Sequence, residues 1–562
     1  MTPPTPAIVA QSAVRRLPRL ALWLFCLAYL IPGFVGREPW KNADMAAYGY
    51  MAELANGTSR WLDPTLLGLR PEFEALLPYW LGAWAIQIAP ANWAPDFAAR
   101  VPFAMLLALT LLATWYGAFH LARGSTAQPV AFAFGGEAQP VDYARAMADA
   151  ALLALIACLG LAQLSHEVTA ASAALAFTAL GFYGLAASAE RPLRGRVATI
   201  LGLTGLALSG APAIATLLAF GGCVLALAEA PKDTSHAGQH RRQAGWLLLL
   251  CGLLIVLGST LNLFQWRLTW PASADRDWRS LGRLLLWFTW PAWPLALWTL
   301  WRWRHQLRDR HLALPVMLAT VALATTLTTT NGERSLMLAL PALAALAAFA
   351  LPTFQRSVAA LIDWFTLLFF SGCALVVWVI WIAMQTGFPE KPAANVARLA
   401  PGFEPTFSGL AFAAALAATL CWAGLVRWRV GRHRAAIWKS LVLPAAGAAL
   451  CWLLLMTLWL PLLDHARSYT RMVRQVTVHL LPTDCVEVQG VSRGHIAALR
   501  FHGHLDLRAP SNPPACRWLV ADMATVGDLK LEVDLNHWRL HAPVGKATEV
   551  NDFMLVYTRI QP

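Results

Sequence analysis

The sequence predicts a polytopic all-α membrane protein of about thirteen transmembrane helices, followed by a small C-terminal extracytoplasmic α/β domain. Three observations predict this. Hydrophobic residues make up 58% of the 562 and charged residues 13%, a balance suited to lipid rather than water. Apolar runs near the roughly 20 residues that cross a bilayer recur along the chain. From about residue 463 the pattern changes to short alternating segments separated by Asn, Pro and Gly, which reads as strands and turns.

The first apolar run, Leu17 to Val35, follows Arg15 and Arg16. It is long for a signal-peptide core and ends in Gly36-Arg-Glu-Pro39 without a small-x-small cleavage site, so it is read as the first transmembrane helix. Further spans are expected near 97–122, 144–165, 168–188, 197–229, 245–264, 282–301, 311–330, 336–352, 358–385, 406–425 and 440–462. The basic clusters between them, among them Arg191/Arg194/Arg196 and Arg241/Arg242, belong on one side of the membrane. Both of these flank the run 197–229, so that run must hold an even number of crossings. Ser209-Gly-Ala-Pro212 supplies the break. The N-terminus is then cytoplasmic, residues 1–462 form the membrane domain, and the tail 463–562 lies outside. The net charge of +13 follows from these clusters and does not call for a nucleic-acid partner.

The same count places five polar segments on the outer face: the first loop (37–96), the His166-Glu167 turn, the 265–281 loop, the turn 331–335 and the 386–405 loop. Seven of the nine cysteines fall inside apolar spans as small apolar filler. Cys485 and Cys516 are the two in the tail. A lone pair in an outside compartment reads as a disulfide. In the tail, strands are expected near Ala498 to His502, Leu529 to Leu535 and Phe553 to Tyr557.

Several outer residues have chemical potential, each with a plainer reading beside it. Asp44, in an apolar and aromatic loop next to Trp40 and Tyr48, suits a general base that orients an acceptor; the plain alternative is a solvated loop carboxylate. Glu167 can be a second acid converging on Asp44, or it can serve the start of the next helix, where negative charge suits the dipole. Arg334 can grip a phosphate or pair with Glu333. Lys41 and Arg267 are further outer cations, with anionic head groups as the alternative partner. Glu74 reads best as a cap for a helix near 75–89. Glu74 and His166 are also weak candidates for a divalent metal, with no spacing motif behind them. No P-loop, GxGxxG or HExxH motif is present, which removes the usual signatures of nucleotide-driven pumping and zinc proteolysis.

The order of first-loop residues resembles a known family. Asp44-x-x-x-Tyr48, then Gly57-x-x-x-Trp61-Leu-Asp-Pro64 with Gly68, then Pro78-Tyr79-Trp80-Leu81-Gly82, is similar to the first extracytoplasmic loop of GT-C glycosyltransferases. The nearest branch is the bacterial aminoarabinose transferase and protein mannosyltransferase-like group. Ala98-Ala-Arg100, Leu208-Ser-Gly-Ala-Pro212 and Leu340-Pro341 add to the likeness. Departures accompany it: the family's Asp-Glu is Asp44-Met45 here, its Lys-Pro is Glu74-Ala75, and its Tyr-Asp is His166-Glu167.

The resemblance implies the GT-C fold and a sugar transfer at the periplasmic face of a bacterial inner membrane. The donor would be a polyprenyl-phosphate (undecaprenyl-phosphate) sugar, and the acceptor lipid A, another glycolipid or a protein. Inversion is implied, with Asp44 as the base that deprotonates the acceptor and Glu167 as a second catalytic carboxylate, and Arg334, Tyr48, Lys41, Glu74, Tyr79, Trp80 and Arg267 around the donor phosphate and substrates. The rival readings are a lipid or sugar transporter, favoured by charges in mid-span or inverted repeats, and an inactive relative in an envelope assembly complex.

Overall fold

The structure is a computed structural model. It describes the chain apart from residues 1–4, 73, 230–233, 265–277, 329–331, 431–435, 481–483, 512, 524–536, 546–552 and 561–562. The first span is α1 (Arg19–Leu30), and the outer loop after it holds two helices, α2 (Lys41–Ala55) and α3 (Leu77–Ile88). The bundle continues through α4 (Pro95–Arg123), α5 (Pro140–Ala157), the single turn α6 (Leu161–Leu164), α7 (Ala170–Ala187), α8 (Pro192–Leu208), α9 (Pro212–Ala228) and α10 (Thr234–Thr260). Then come α11 (Trp278–Phe288), α12 (Ala292–Arg302), α13 (Arg310–Thr328), the short α14 (Gly332–Met337), α15 (Leu340–Ala350) and α16 (Arg356–Thr386). The surface helix α17 (Glu390–Leu399) precedes α18 (Gly409–Val430), α19 (Lys439–Leu455), α20 (Leu460–Arg467) and α21 (Thr470–His479).

Every apolar run read from the sequence carries helix, but the lengths differ. Among the described residues six helices (α4, α7, α10, α13, α16 and α18) are long and apolar enough to cross a membrane, and α19 with α20 makes a seventh if that pair, bent by 67°, is one span. The shorter apolar helices include α1 and α9. The expected break in 197–229 occurs between α8 and α9, where Gly210 has φ +86°. A Cβ there would come within 2.6 Å of the Glu74 carbonyl oxygen. Glycine is needed for both the left-handed backbone and the close approach. The run 282–301, read as one span, is also split, into α11 and α12. The Nε2 of Gln243 donates to Ser188 Oγ at 2.7 Å, which puts the 191–196 and 241–242 clusters at the same end of the bundle.

Small residues let the helices approach. A Cβ on Gly202 of α8 would meet the Gly181 backbone nitrogen of α7 at 2.4 Å, and one on Gly184 would meet that of Thr199 at the same distance. This is the packing that membrane helices use where no hydrophobic effect separates helix from lipid. The Ala- and Leu-rich α15 is buried along its whole length, as expected of a helix that is apolar all round.

The C-terminal region carries the expected α/β unit: five strands, β1 (Val486–Gln489), β2 (Leu507–Arg508), β3 (Trp518–Asp522), β4 (Trp538–Gly545) and β5 (Phe553–Arg559), in the order β2-β1-β3-β5-β4. β1 runs parallel to β2 and β3, while β5 is antiparallel to β3 and β4. The Cys485–Cys516 disulfide joins the residue before β1 to the segment before β3. β5 matches expectation, and the strand expected at 529–535 lies outside the described residues. The strand expected at 498–502 is instead part of α22 (Arg493–Phe501): Ser492 caps it by accepting from the His495 backbone N–H, and Ile496, Ala497, Ala498 and Leu499 are buried on it.

Candidate active site at the outer end of the bundle

The chain leaves α1 through Gly33, at φ +97°, where a Cβ would overlap the Trp452 ring. It then sends Arg37 inward. The Arg37 Nε donates to the Gly33 carbonyl and its Nη2 to the His166 carbonyl, each at 2.7 Å. The same Nη2 lies 3.0 Å from Asp44 Oδ2. Asp44, on the first turn of α2, is only 1% exposed. Its Oδ2 also accepts from the Trp40 backbone N–H at 2.9 Å, and its Oδ1 accepts from the Val168 N–H at 2.7 Å. Asp44 therefore ties the first loop to the turn between α6 and α7. Since Val168 follows Glu167, the two acids picked out in the sequence are neighbours in space.

Glu167 is buried as well. One of its oxygens lies 3.7 Å from Arg334 Nη2 on α14, and the other accepts from Gln163 Nε2 at 3.4 Å. Arg334 thus faces Glu167, whereas the sequence offered Glu333 as its plain partner. Thr169 and Ser172 form the capping box of α7, so Glu167 is not the cap. Arg467, at the end of α20, lies over the Trp40 ring with its guanidinium carbon 5.3 Å from the ring centre; Arg37 lies 4.9 Å from the same ring. Burial lowers the Arg467 pKa, with the Glu167 charge opposing and the Arg37 charge adding to the shift.

The other sequence candidates divide. Tyr79 is buried against Tyr50, ring centres 5.4 Å apart, and within electrostatic reach of Arg334. Trp80 donates its indole N–H to the Trp61 carbonyl at 2.7 Å. Its ring neighbours Trp84, which stacks on Trp61. Tyr48 packs edge-on against Phe501 of α22 at 5.4 Å. Glu74 does not cap α3, which has no side-chain cap; the nearby Leu76 N–H bonds the Leu208 carbonyl at 2.9 Å. Burial raises the Glu74 pKa, opposed by Arg70. Arg267 and the Lys41 side chain lie outside the described residues.

His166 is no ready metal ligand, because both its ring nitrogens face carbonyls, Ala162 at 2.5 Å and Tyr29 at 3.0 Å. Its ring packs against Phe34 and Trp452. Burial pushes its pKa down to about 4, the Arg37 charge adding to the push and the two carbonyls resisting it. Among the described residues no three metal-ligating side chains converge.

Sequence reasoning missed three contributors. Arg37 and Arg467 border apolar runs, where the default reading of a basic residue is an interfacial flank. The third is the C-terminal domain, which clamps the first loop. The Gly494 N–H donates to Asn42 Oδ1 at 2.7 Å, and a Cβ on Gly494 would strike that residue. Buried Glu53 of α2 meets Arg500 Nε of α22 at 2.9 Å. Glu38 takes hydroxyl bonds from Ser468 and Thr470. The signal for this docking was present in Glu53, the one charged residue in the second half of α2, which needed a cation.

No protein-family model and no curated protein sequence matches the chain. Among solved structures, ArnT from Cupriavidus metallidurans bound to undecaprenyl phosphate overlays with a TM-score of 0.61 at 14% identity, over 96% of this chain and 98% of that one. Its apo form gives 0.60 at the same identity and coverage. An Archaeoglobus fulgidus oligosaccharyltransferase overlays at 0.43, too loosely to bear on the fold. Near-complete coverage of both chains at these TM-scores shows that this membrane protein has the GT-C fold.

Proposed function

We propose that the protein is an inverting glycosyltransferase that takes a sugar from a polyprenyl-phosphate donor and gives it to a lipid or protein acceptor at the outer membrane face. The observation that carries this reading is the acid and arginine cluster built from separate segments at one end of a GT-C bundle: Arg37 and Asp44, Glu167, Arg334 and Arg467. In this reading residues 1–462 form the membrane domain, the N-terminus is cytoplasmic, and residues 463–562 form a periplasmic domain that holds the first loop in place.

The acceptor oxygen or nitrogen attacks the anomeric carbon from the face opposite the phosphate. Its proton passes to a carboxylate. The bond between the anomeric carbon and the phosphate oxygen breaks, and its electrons leave with polyprenyl phosphate, which gains a negative charge. Glu167 is the better-placed base, because it faces Arg334, and Asp44 positions the turn that carries it. Arginines aimed at the phosphate stabilise the charge that develops there. Tyr79, beside Arg334, and the Trp61/Trp80/Trp84 face suit the sugar and acceptor.

The test is transfer from labelled undecaprenyl-phosphate sugars, a pentose and a hexose series, by the whole protein in nanodiscs with lipid A and membrane-protein acceptors. Label should appear in a product with inverted anomeric configuration. Movement of intact donor across the bilayer with no product would overturn the reading in favour of a transporter.

A further inference from the structure

We infer that Arg467 is an anion-binding residue of this site, and that it grips the donor phosphate from the side opposite Arg334. The inference rests on the transferase reading and adds to it a residue from the last bent helix.

Arg467 ends α20, the helix that turns 67° from α19. That turn brings it over Trp40, on the face of the first loop that also carries Arg37. The nearby arginines are paired: Arg37 with Asp44, Arg100 with Asp96, Arg334 with Glu167 and Arg500 with Glu53. Arg467 has no carboxylate within ion-pair distance among the described residues. Glu167 acts on Arg467 from beyond ion-pair distance while it faces Arg334, and the acids near Trp40 are engaged elsewhere. Asp464 accepts the Trp40 indole N–H at 2.6 Å and the Glu38 N–H at 3.3 Å. Glu38 accepts from the Ser468 and Thr470 hydroxyls.

A half-buried arginine stacked on an indole is a fixed planar donor set, and it fits a phosphate oxygen pair better than an ammonium would. Leaving such a cation without an anion at a membrane surface is costly. A bound phosphate removes that cost. The indole face also orients the guanidinium, since Trp40 is held by Asp464 on its N–H edge and cations favour its ring face. The charge on the phosphate rises as polyprenyl phosphate departs. Arg467 therefore holds the leaving group more strongly than the intact donor.

The experiment measures undecaprenyl phosphate binding, without turnover, to the full chain in phosphatidylcholine nanodiscs, by quenching of tryptophan fluorescence and by native mass spectrometry. Wild type, Arg467→Gln and Arg467→Lys are compared, with melting temperatures as a check on folding. Loss of one charge-assisted contact predicts about 10–100-fold weaker binding for Arg467→Gln, with partial recovery in Arg467→Lys. In the transfer assay the loss falls on kcat as well as KM. Equal binding by wild type and Arg467→Gln would overturn the inference, and so would failure of the wild type to bind. Weakening matched by an equal loss of affinity for phosphatidylglycerol or inorganic phosphate would also overturn it, since Arg467 would then be a general anion anchor. Wild-type binding that depends on Arg467, together with no sugar transfer, would uphold the phosphate contact and remove the transferase reading.

Discussion

Asp44 and Glu167 come from segments far apart in sequence, are buried to a similar degree, and meet through one backbone hydrogen bond, yet they are held differently. Asp44 has both oxygens on backbone N–H groups and a guanidinium at 3.0 Å, all from its own loop or the adjoining turn. Glu167 faces an arginine on another helix, Arg334, whose side chain is 23% exposed, and lies in the field of Arg467. The difference lies in what holds each acid: Asp44 is fixed by backbone N–H groups and Arg37, Glu167 by the side chains of Arg334 and Gln163. A motif acid is therefore not automatically the reacting group. The donors already occupying its lone pairs decide how much chemistry is left to it.

The largest effect expected is at Asp44. Asp44→Asn keeps the shape but leaves Arg37 buried without a counter-charge. Removing one partner of a buried pair costs about 3–5 kcal/mol. The protein should melt well below wild type in detergent and lose transfer along with its structure. A variant that melts like wild type and still loses transfer would break the comparison, and would make Asp44 the base. Glu167→Gln is the opposite case. Glu167 is buried, but its partner Arg334 is partly exposed and can be hydrated when the charge is removed, so the melting loss should be smaller than for Asp44→Asn. Loss of a general base should lower kcat about 10²–10⁴-fold. Transfer within a few-fold of wild type would take Glu167 out of the chemistry.

How much of this was legible in the sequence follows from what each signal depends on. Apolar length marked every helical run, because lipid demands length before anything else. The break at Ser209–Pro212 was readable because glycine and proline have local backbone consequences. The break between α11 and α12 was hidden in Phe288-Thr-Trp-Pro291, where the aromatic run reads as continuous span. The Ala498–His502 alternation was too short to tell strand from helix, and the Ser492 cap that decided it lies outside the alternating window. Asp44 and Glu167 were legible through resemblance. Arg37 and Arg467 were not, since a charge beside an apolar run has an interfacial default and only the fold turns it inward. The packing of Tyr48 against Phe501 of α22 was not legible, because the motif that names it does not reveal what covers it.

The smallest effect sharpens the same comparison through His166, whose carbonyl accepts from Arg37 on the Asp44 side. Burial depresses its pKa to about 4, below the roughly 6.5 of an exposed histidine. The folded state therefore binds fewer protons than the unfolded state between these values. The stability that His166 contributes is fully present above about pH 6.5, declines as pH falls, and is gone below about pH 4. At pH 5 the loss is about 2 kcal/mol. Melting temperatures of wild type and His166→Gln, measured from pH 7.5 down to 4.5, should draw together by that amount, because glutamine carries no titration. A gap that widens as pH falls would mean that the two carbonyls hold His166 protonated in the folded state. The Asp44 side would then carry a second buried cation beside Arg37, and the contrast with the arginine-lined Glu167 side would no longer rest on charge.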